Sequence, residues 1–191
     1  MKLSDLTHGL PVRTLGNAEV GITGVTDDSR RVKPGDLFIA RAGHTTDGRR
    51  FIDDALRRGA AAVLTDREAG LAGAAVVSAG DVAGVGTELA RRFHGDPAAK
   101  LKLIGVTGTN GKTTTTYMVR HLLGAAGVRC GVIGTVEIDT GIKPRPSELT
   151  TPGAIELIGL LGAGAGSGDE DQEDERQANG TKHGGSRRGA E

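Results

Sequence analysis

Lys112 and Thr113 lie in the stretch TGTNGKTTT, residues 107–115, directly after the apolar run LKLIGV. Chemistry of one kind suits this pattern. Backbone amides at a helix N-terminus converge on phosphate oxygens, glycines permit close approach, and a lysine neutralises charge near a transferred phosphoryl group. Gly108, Gly111, Lys112 and Thr113 supply those parts, with the Thr113 hydroxyl placed to meet a magnesium ion bridging the terminal phosphates. The usual loop carries a glycine five residues before Gly111, whereas position 106 is valine and Gly105 comes one residue too early. A Gly-Lys-Thr tripeptide alone reads first as a turn before a helix. An apolar strand ahead of it, a helix after it and a run of four threonines in the first turn place nucleotide binding first.

A strand must deliver this loop and a helix must receive it. LKLIGV reads as a central strand, residues 113–127 as a helix and VRCGVIGTV, residues 128–136, as a second strand; that order predicts a parallel sheet with right-handed crossovers. Upstream, residues 1–96 read as alternating short strands and helices. GDLFIA follows a Pro34-Gly35 turn, FIDDALRRG gives a helix ending at Gly59, and AAAVL and AAVVS are short buried strands. From Asp81, a candidate N-cap, Val82, Val85, Leu89 and Phe93 recur along one helix face. Gly95, Asp96 and Pro97 then mark a domain boundary. From Gly162 onward the chain holds no Val, Ile, Leu, Met or aromatic residue, so too little apolar surface is available to offset ordering entropy. The expected fold is therefore α/β: a small N-terminal α/β domain over 1–98, an incomplete P-loop parallel-sheet domain over 99–161, and a disordered Gly- and charge-rich tail over 162–191.

With 191 residues, 37% of them apolar, the chain has the composition of a soluble globular protein. No apolar stretch approaches the ~20 residues a membrane span needs, and the N-terminus has no secretory h-region. A cytoplasmic location without membrane insertion follows. The 24 basic and 24 acidic residues balance, and 3 Phe with 1 Tyr leave little to stack on bases, so nucleic acid is not an expected partner. The single cysteine, Cys130, excludes an intrachain disulfide and reads as a small buried thiol. Oligomeric state is not encoded in any pattern found.

GTNGKTTT after an apolar strand resembles the ATP loop of the Mur ligases, which share the variant with folylpolyglutamate synthases. Two further segments resemble the MurE type within that group. The first is residues 25–64, VTDDSRRVKPGDLFIARAGHTTDGRRFIDDALRRGAAAVL, similar to the family's uridine-nucleotide-binding domain. The second is SELTTPGAIEL, residues 147–157. Taken alone, Ser29 reads as a turn residue, His44 as a surface-loop histidine and TTP as a capped helix start with Pro152 in the first turn.

The resemblance implies ATP bound by Gly108, Thr109, Asn110, Gly111, Lys112, Thr113 and Thr114, with Lys112 catalytic and Thr113 on Mg²⁺. It implies Ser29, His44, Thr45 and Thr46 as contacts to the UDP part of the substrate, and Thr150 and Thr151 as contacts to its muramoyl-dipeptide part. The implied reaction is ATP-dependent addition of a third amino acid, diaminopimelate or lysine, to UDP-MurNAc-L-Ala-D-Glu through an acyl phosphate. Members of the family continue past the TTP helix with a metal-binding glutamate, a carbamylated lysine and a further domain, and no such segment follows Leu161. An impaired enzyme is therefore expected, with residues 100–161 the less stable part. The alternatives are a UDP-muramoyl-peptide binder without turnover, and a generic P-loop NTPase, which residues 25–64 disfavour.

Overall fold

Short apolar runs between glycine turns build the first sheet. The computed structural model describes residues 1–42, 47–67, 71, 73–141, 144–147 and 152–166. The chain divides into two compact units, Met1–Pro97 with Pro152–Gly159, and Ala98–Thr151 with Leu160–Glu191.

In the first unit the order is α1 (Leu3–Thr7), β1 (Arg13–Leu15), β2 (Val25–Thr26), a 3-10 turn (Ser29–Arg31), β3 (Leu37–Ile39), a second 3-10 turn (Gly48–Phe51), α2 (Ile52–Arg57), β4 (Ala62–Thr65), β5 (Ala75–Ser78) and α3 (Val82–Phe93). The sheet order is β1-β5-β4-β3-β2. β2 to β5 run parallel, and β1 joins the edge antiparallel to β5. Every residue of β3, β4 and β5 is buried, as expected of parallel strands covered on both faces.

Side-chain alternation sorts these strands into two cores. Leu37, Ile39, Ala62, Leu64 and Val77 pack with Leu3 and Leu6 of α1, with Val82, Val85 and Leu89 of α3, and with Ile155. Phe38, Ala40 and Val63 turn the other way, onto Ile52 and Ala55 of α2. α3 is the helix its spacing predicts: Asp81 accepts a hydrogen bond from the Gly84 amide at 2.9 Å, a cap that stabilises a helix by about 1 kcal/mol. α2 ends at Arg57, and Gly59 just beyond its C-cap has a φ of 92°, which favours glycine. Arg92 secures the far side of α1 by donating to the carbonyls of Leu6 and His8 at 3.0 and 2.7 Å.

Glu88 on α3 accepts from Arg91 and Arg92, each at 2.7 Å, and these hydrogen bonds draw its carboxyl down from 4.5 to about 2. A depressed carboxylate contributes stability that is fully present above the unfolded value and lost as pH falls through the folded one. Stability of the first unit is therefore expected to fall between pH 4.5 and about 2. The check is a urea titration at several pH values, in which Glu88→Gln loses this part of the slope. The pair is partly exposed, so high salt narrows the difference.

The second unit holds α5 (Lys112–Ala125) and a ribbon of β6 (Val132–Ile133), β7 (Glu137–Asp139) and β8 (Arg145–Pro146), following a short α4 (Pro97–Lys100). The α/β class stands, with its parallel sheet in the first unit, but two details of the second unit differ from expectation. LKLIGV forms no strand; Leu103 and Ile104 are 56% and 63% exposed. A parallel strand exists only against neighbours that take up its amides and carbonyls, and among the described residues none pairs with 101–106. The run VRCGVIGTV yields only β6, which turns back at 134–136 and pairs antiparallel with β7; β7 in turn pairs antiparallel with β8.

Cys130 is half-exposed at the approach to β6 rather than buried. A last helix, α6, covers 154–166, so the GAGAG segment that composition assigned to the tail is helical. Gly164 there stands 3.6 Å, measured from the position of a Cβ, from the Thr140 carbonyl. The remaining tail, 167–191, lies outside the described residues.

Candidate functional site

The loop over 107–111 leads into α5 through Gly111, which adopts the left-handed conformation at φ 79°, ψ −3°. Gly108 also has a positive φ, 149°. Thr115 makes an early helical bond, its amide donating to the Gly111 carbonyl at 2.9 Å. The first amides of a helix have no intrahelical carbonyl to meet, and here no side chain caps them. Acidic residues are absent from the first turn. The result is an open group of N–H donors at the positive end of a 14-residue helix.

Lys112 folds back over this loop, its Nζ donating to the Gly108 carbonyl at 2.6 Å and reaching the Thr109 carbonyl at 3.5 Å. The ammonium therefore stands above the strip that the amides border. Thr113 and Thr114 are exposed beside it, whereas Thr116 turns its hydroxyl inward to the carbonyls of Lys112 and Thr113 at 3.1 and 2.8 Å. Uncapped amides, an adjacent lysine and exposed hydroxyls fit a nucleotide's phosphates and an accompanying Mg²⁺. Among the described residues no group of three or more His, Cys, Asp or Glu could hold a metal.

α5 buries none of its residues; Met118 and Leu122 are 60% and 65% exposed. An open hollow of about 450 Å³ on this helix is lined by Tyr117, Arg120, His121, Gly124 and Ala125, and no loop residue borders it. Arg120 is held by Glu137 at 2.8 Å and by Asp139 on β7. Burial and a hydrogen bond with Glu137 raise the Tyr117 phenol above its ordinary value.

In the first unit, Ser29 begins a 3-10 turn capped by Asp28, which accepts from the Arg30 amide at 3.0 Å. Ser29 is buried, and its hydroxyl is engaged with Asp54. Desolvation, the largest influence on the Asp54 carboxyl, pushes it upward; hydrogen bonds from Ser29, Arg58 and Arg57 outweigh that and hold it low. The serine thus helps fix its own turn against α2. His44, Thr45, Thr46, Thr150 and Thr151 lie outside the described residues.

Four side chains around this turn carried no sequence signal. Asp27 accepts from Arg41 at 3.0 Å, and Arg31 pairs with Glu156 at 2.9 Å across 125 residues of chain. The Arg41 guanidinium also lies 3.8 Å from where a Cβ on Gly153 would stand. The segment DDSRR is thereby joined to the beginning of α6, two stretches that no periodicity connects.

A family model described as "Mur ligase family, catalytic domain" matches residues 21–99, and one described as "Mur ligase middle domain" matches residues 106–167. The UDP-N-acetylmuramoyl-L-alanyl-D-glutamate–2,6-diaminopimelate ligase of Caldanaerobacter subterraneus subsp. tengcongensis is 40% identical over 158 residues, covering 82% of this chain and 33% of that protein. The enzyme of the same name from Bacteroides fragilis is 41% identical over 165 residues, covering 85% and 34%. A solved structure with that ligase name superposes with a TM-score of 0.66 at 30% identity, over 88% of this chain and 34% of the other. MurF ligase from Thermotoga maritima, solved in complex with ADP, gives a TM-score of 0.50 at 27% identity, over 74% and 29%. The chain spans about a third of the length of the curated relatives it matches. Two Mur ligase domain matches in order, near-complete coverage by similar ligases and a fold shared with one of them lead to one conclusion: the chain belongs to the Mur ligase family.

Proposed function

We propose that this chain is the substrate-nucleotide-binding and ATP-loop portion of a ligase that adds diaminopimelate to UDP-MurNAc-L-Ala-D-Glu in cytoplasmic peptidoglycan synthesis. The observation carrying this reading is the uncapped start of α5 with Lys112 folded over it. Names of relatives at about 40% identity support the substrate and the choice of diaminopimelate over lysine. ATP with Mg²⁺ would supply a phosphoryl group to the substrate carboxylate, making an acyl phosphate from whose carbonyl carbon the incoming amine displaces inorganic phosphate as the amide bond forms. The chain's own part is electrostatic. Amides of Gly111, Lys112 and Thr113 bind oxygens whose charge grows during transfer, and Lys112 exchanges its carbonyl partners for phosphate. Gly108, Thr109, Asn110 and Thr114 shape the loop around them. Ser29 with His44, Thr45 and Thr46 would contact the UDP part, and Thr150 and Thr151 the peptide part.

A second reading, capture of the UDP-linked substrate without turnover, draws on the contrast between units: β3 to β5 are fully buried while α5 buries nothing. Phosphate release from ATP with Mg²⁺, UDP-MurNAc-L-Ala-D-Glu and diaminopimelate separates the two. Release that requires the dipeptide substrate and vanishes in Lys112→Ala supports the ligase. Retained UDP-substrate binding with no release supports the binder, and loss of both sinks the assignment of substrate.

A further inference from the structure

The start of α6 is built into the first unit. Ile155 is 6% exposed within the main core, Ile158 packs against the same cluster, and Gly159 approaches the His94 ring, 3.6 Å from Nε2 to the position of a Cβ. Those contacts fix which face of the helix meets the core, and polar groups add directional contacts at its start. The polar groups are Arg31, paired with Glu156 at 2.9 Å, and Arg41, held by Asp27 at 3.0 Å beside Gly153. Asp27 and Arg31 flank Ser29 in sequence. The other charged groups at this turn, Arg30 and Arg58, lean on it differently: Arg30 pairs with Asp28, and Arg58 donates to the Arg30 carbonyl.

We propose that Arg31 and Glu156 form a positioning contact that sets the distance between the nucleotide-reading turn and the start of α6, so that both ends of one UDP-linked peptide substrate are met at once. This rests on the substrate assignment above. Neither side chain needs to touch the substrate; the pair acts by holding two binding segments in register. Such preorganisation strengthens binding of a ligand that spans both segments and leaves a ligand confined to one unaffected. The Arg31 and Glu156 side chains are 55% and 24% exposed, so the effect is moderate in size.

The test is calorimetric titration of the full chain with UDP and with UDP-MurNAc-L-Ala-D-Glu, in wild type, Arg31→Glu, Glu156→Arg and the double exchange. The single variants are expected to lose about fivefold in affinity for the conjugate. UDP affinity is expected to stay within about twofold and the double exchange to recover. Equal loss for both ligands would reduce the pair to a general structural contact. Unchanged conjugate binding in the single variants, or no recovery in the double, would overturn the proposal. A wild-type chain that binds UDP but the conjugate no more tightly would also overturn it. If wild type binds neither ligand, the substrate assignment itself fails and the proposal falls with it. Hydrogen exchange of amides 155–159 then separates the contact from its function: faster exchange in the single variants with recovery in the double supports the mechanical half, and no change removes that too.

Discussion

Lys112→Ala is expected to weaken binding of Mg²⁺-ATP about 10- to 100-fold, while the melting of the free chain stays where it is. The size follows from removing a charge-assisted hydrogen bond, worth about 1.5–3 kcal/mol. The unchanged melting follows from what the side chain touches without nucleotide, namely the Gly108 and Thr109 carbonyls of an exposed loop. Those carbonyls meet water as readily when the lysine is gone. Titration with a fluorescent ATP analogue, set beside differential scanning calorimetry, measures both. A variant that binds nucleotide as tightly as wild type would remove the loop from the site. One that melts early would show the lysine holding the loop together. Binding that weakens with added salt in wild type, and less so in the variant, would mark the interaction as electrostatic.

The second large effect contrasts two leucines. Leu89→Ala on α3 empties a fully buried position between the sheet and α1 and is expected to cost about 2–5 kcal/mol, much of what a domain of this size has. Leu122→Ala on α5, at a site 65% exposed, is expected to change stability by less than about 0.5 kcal/mol. Urea denaturation followed by circular dichroism gives both values. Equal costs would mean that α5 is covered by packing after all, and the contrast between units would fail. The same contrast predicts that amides of α5 exchange with solvent well before those of β3 to β5.

The first unit was legible because each of its signals is local. GDLFIA, AAAVL and AAVVS are apolar runs closed by glycine, and Asp81 with Val82, Val85 and Leu89 writes a capped amphipathic helix; all became the expected elements. β1 left no such mark, being three residues, Arg13–Leu15, whose pairing with β5 is decided by the opposite edge of the sheet. LKLIGV shows the opposite failure. Its composition is that of a central strand, yet a strand is a relation between segments, and the described neighbours pair elsewhere. GAGAG misled through composition, because it lacks the large apolar side chains that mark a helix face, yet α6 continues through it to 166. At the candidate site, the helix that follows the Gly-Lys-Thr turn could be read from the sequence, though not the left-handed turn at Gly111 or the fold-back of Lys112. The Arg31–Glu156 and Asp27–Arg41 pairs could not, since each is a single long-range contact with no repeat to reveal it.

The discontinuity of the first unit bears on how the chain matures during synthesis. Its core takes Ile155 and Ile158 from a segment made more than fifty residues after Pro97. When residue 97 leaves the ribosome, the main core cluster still lacks Ile155 and Ile158. Residues 98–151 must then emerge as an insertion whose ends are brought together later, at an entropic cost that grows only with the logarithm of its length. Nascent chains arrested near residue 97 should therefore be cut readily by protease. Protection should arrive as a step once residue 159 has cleared the exit tunnel, rather than accumulate with each residue added.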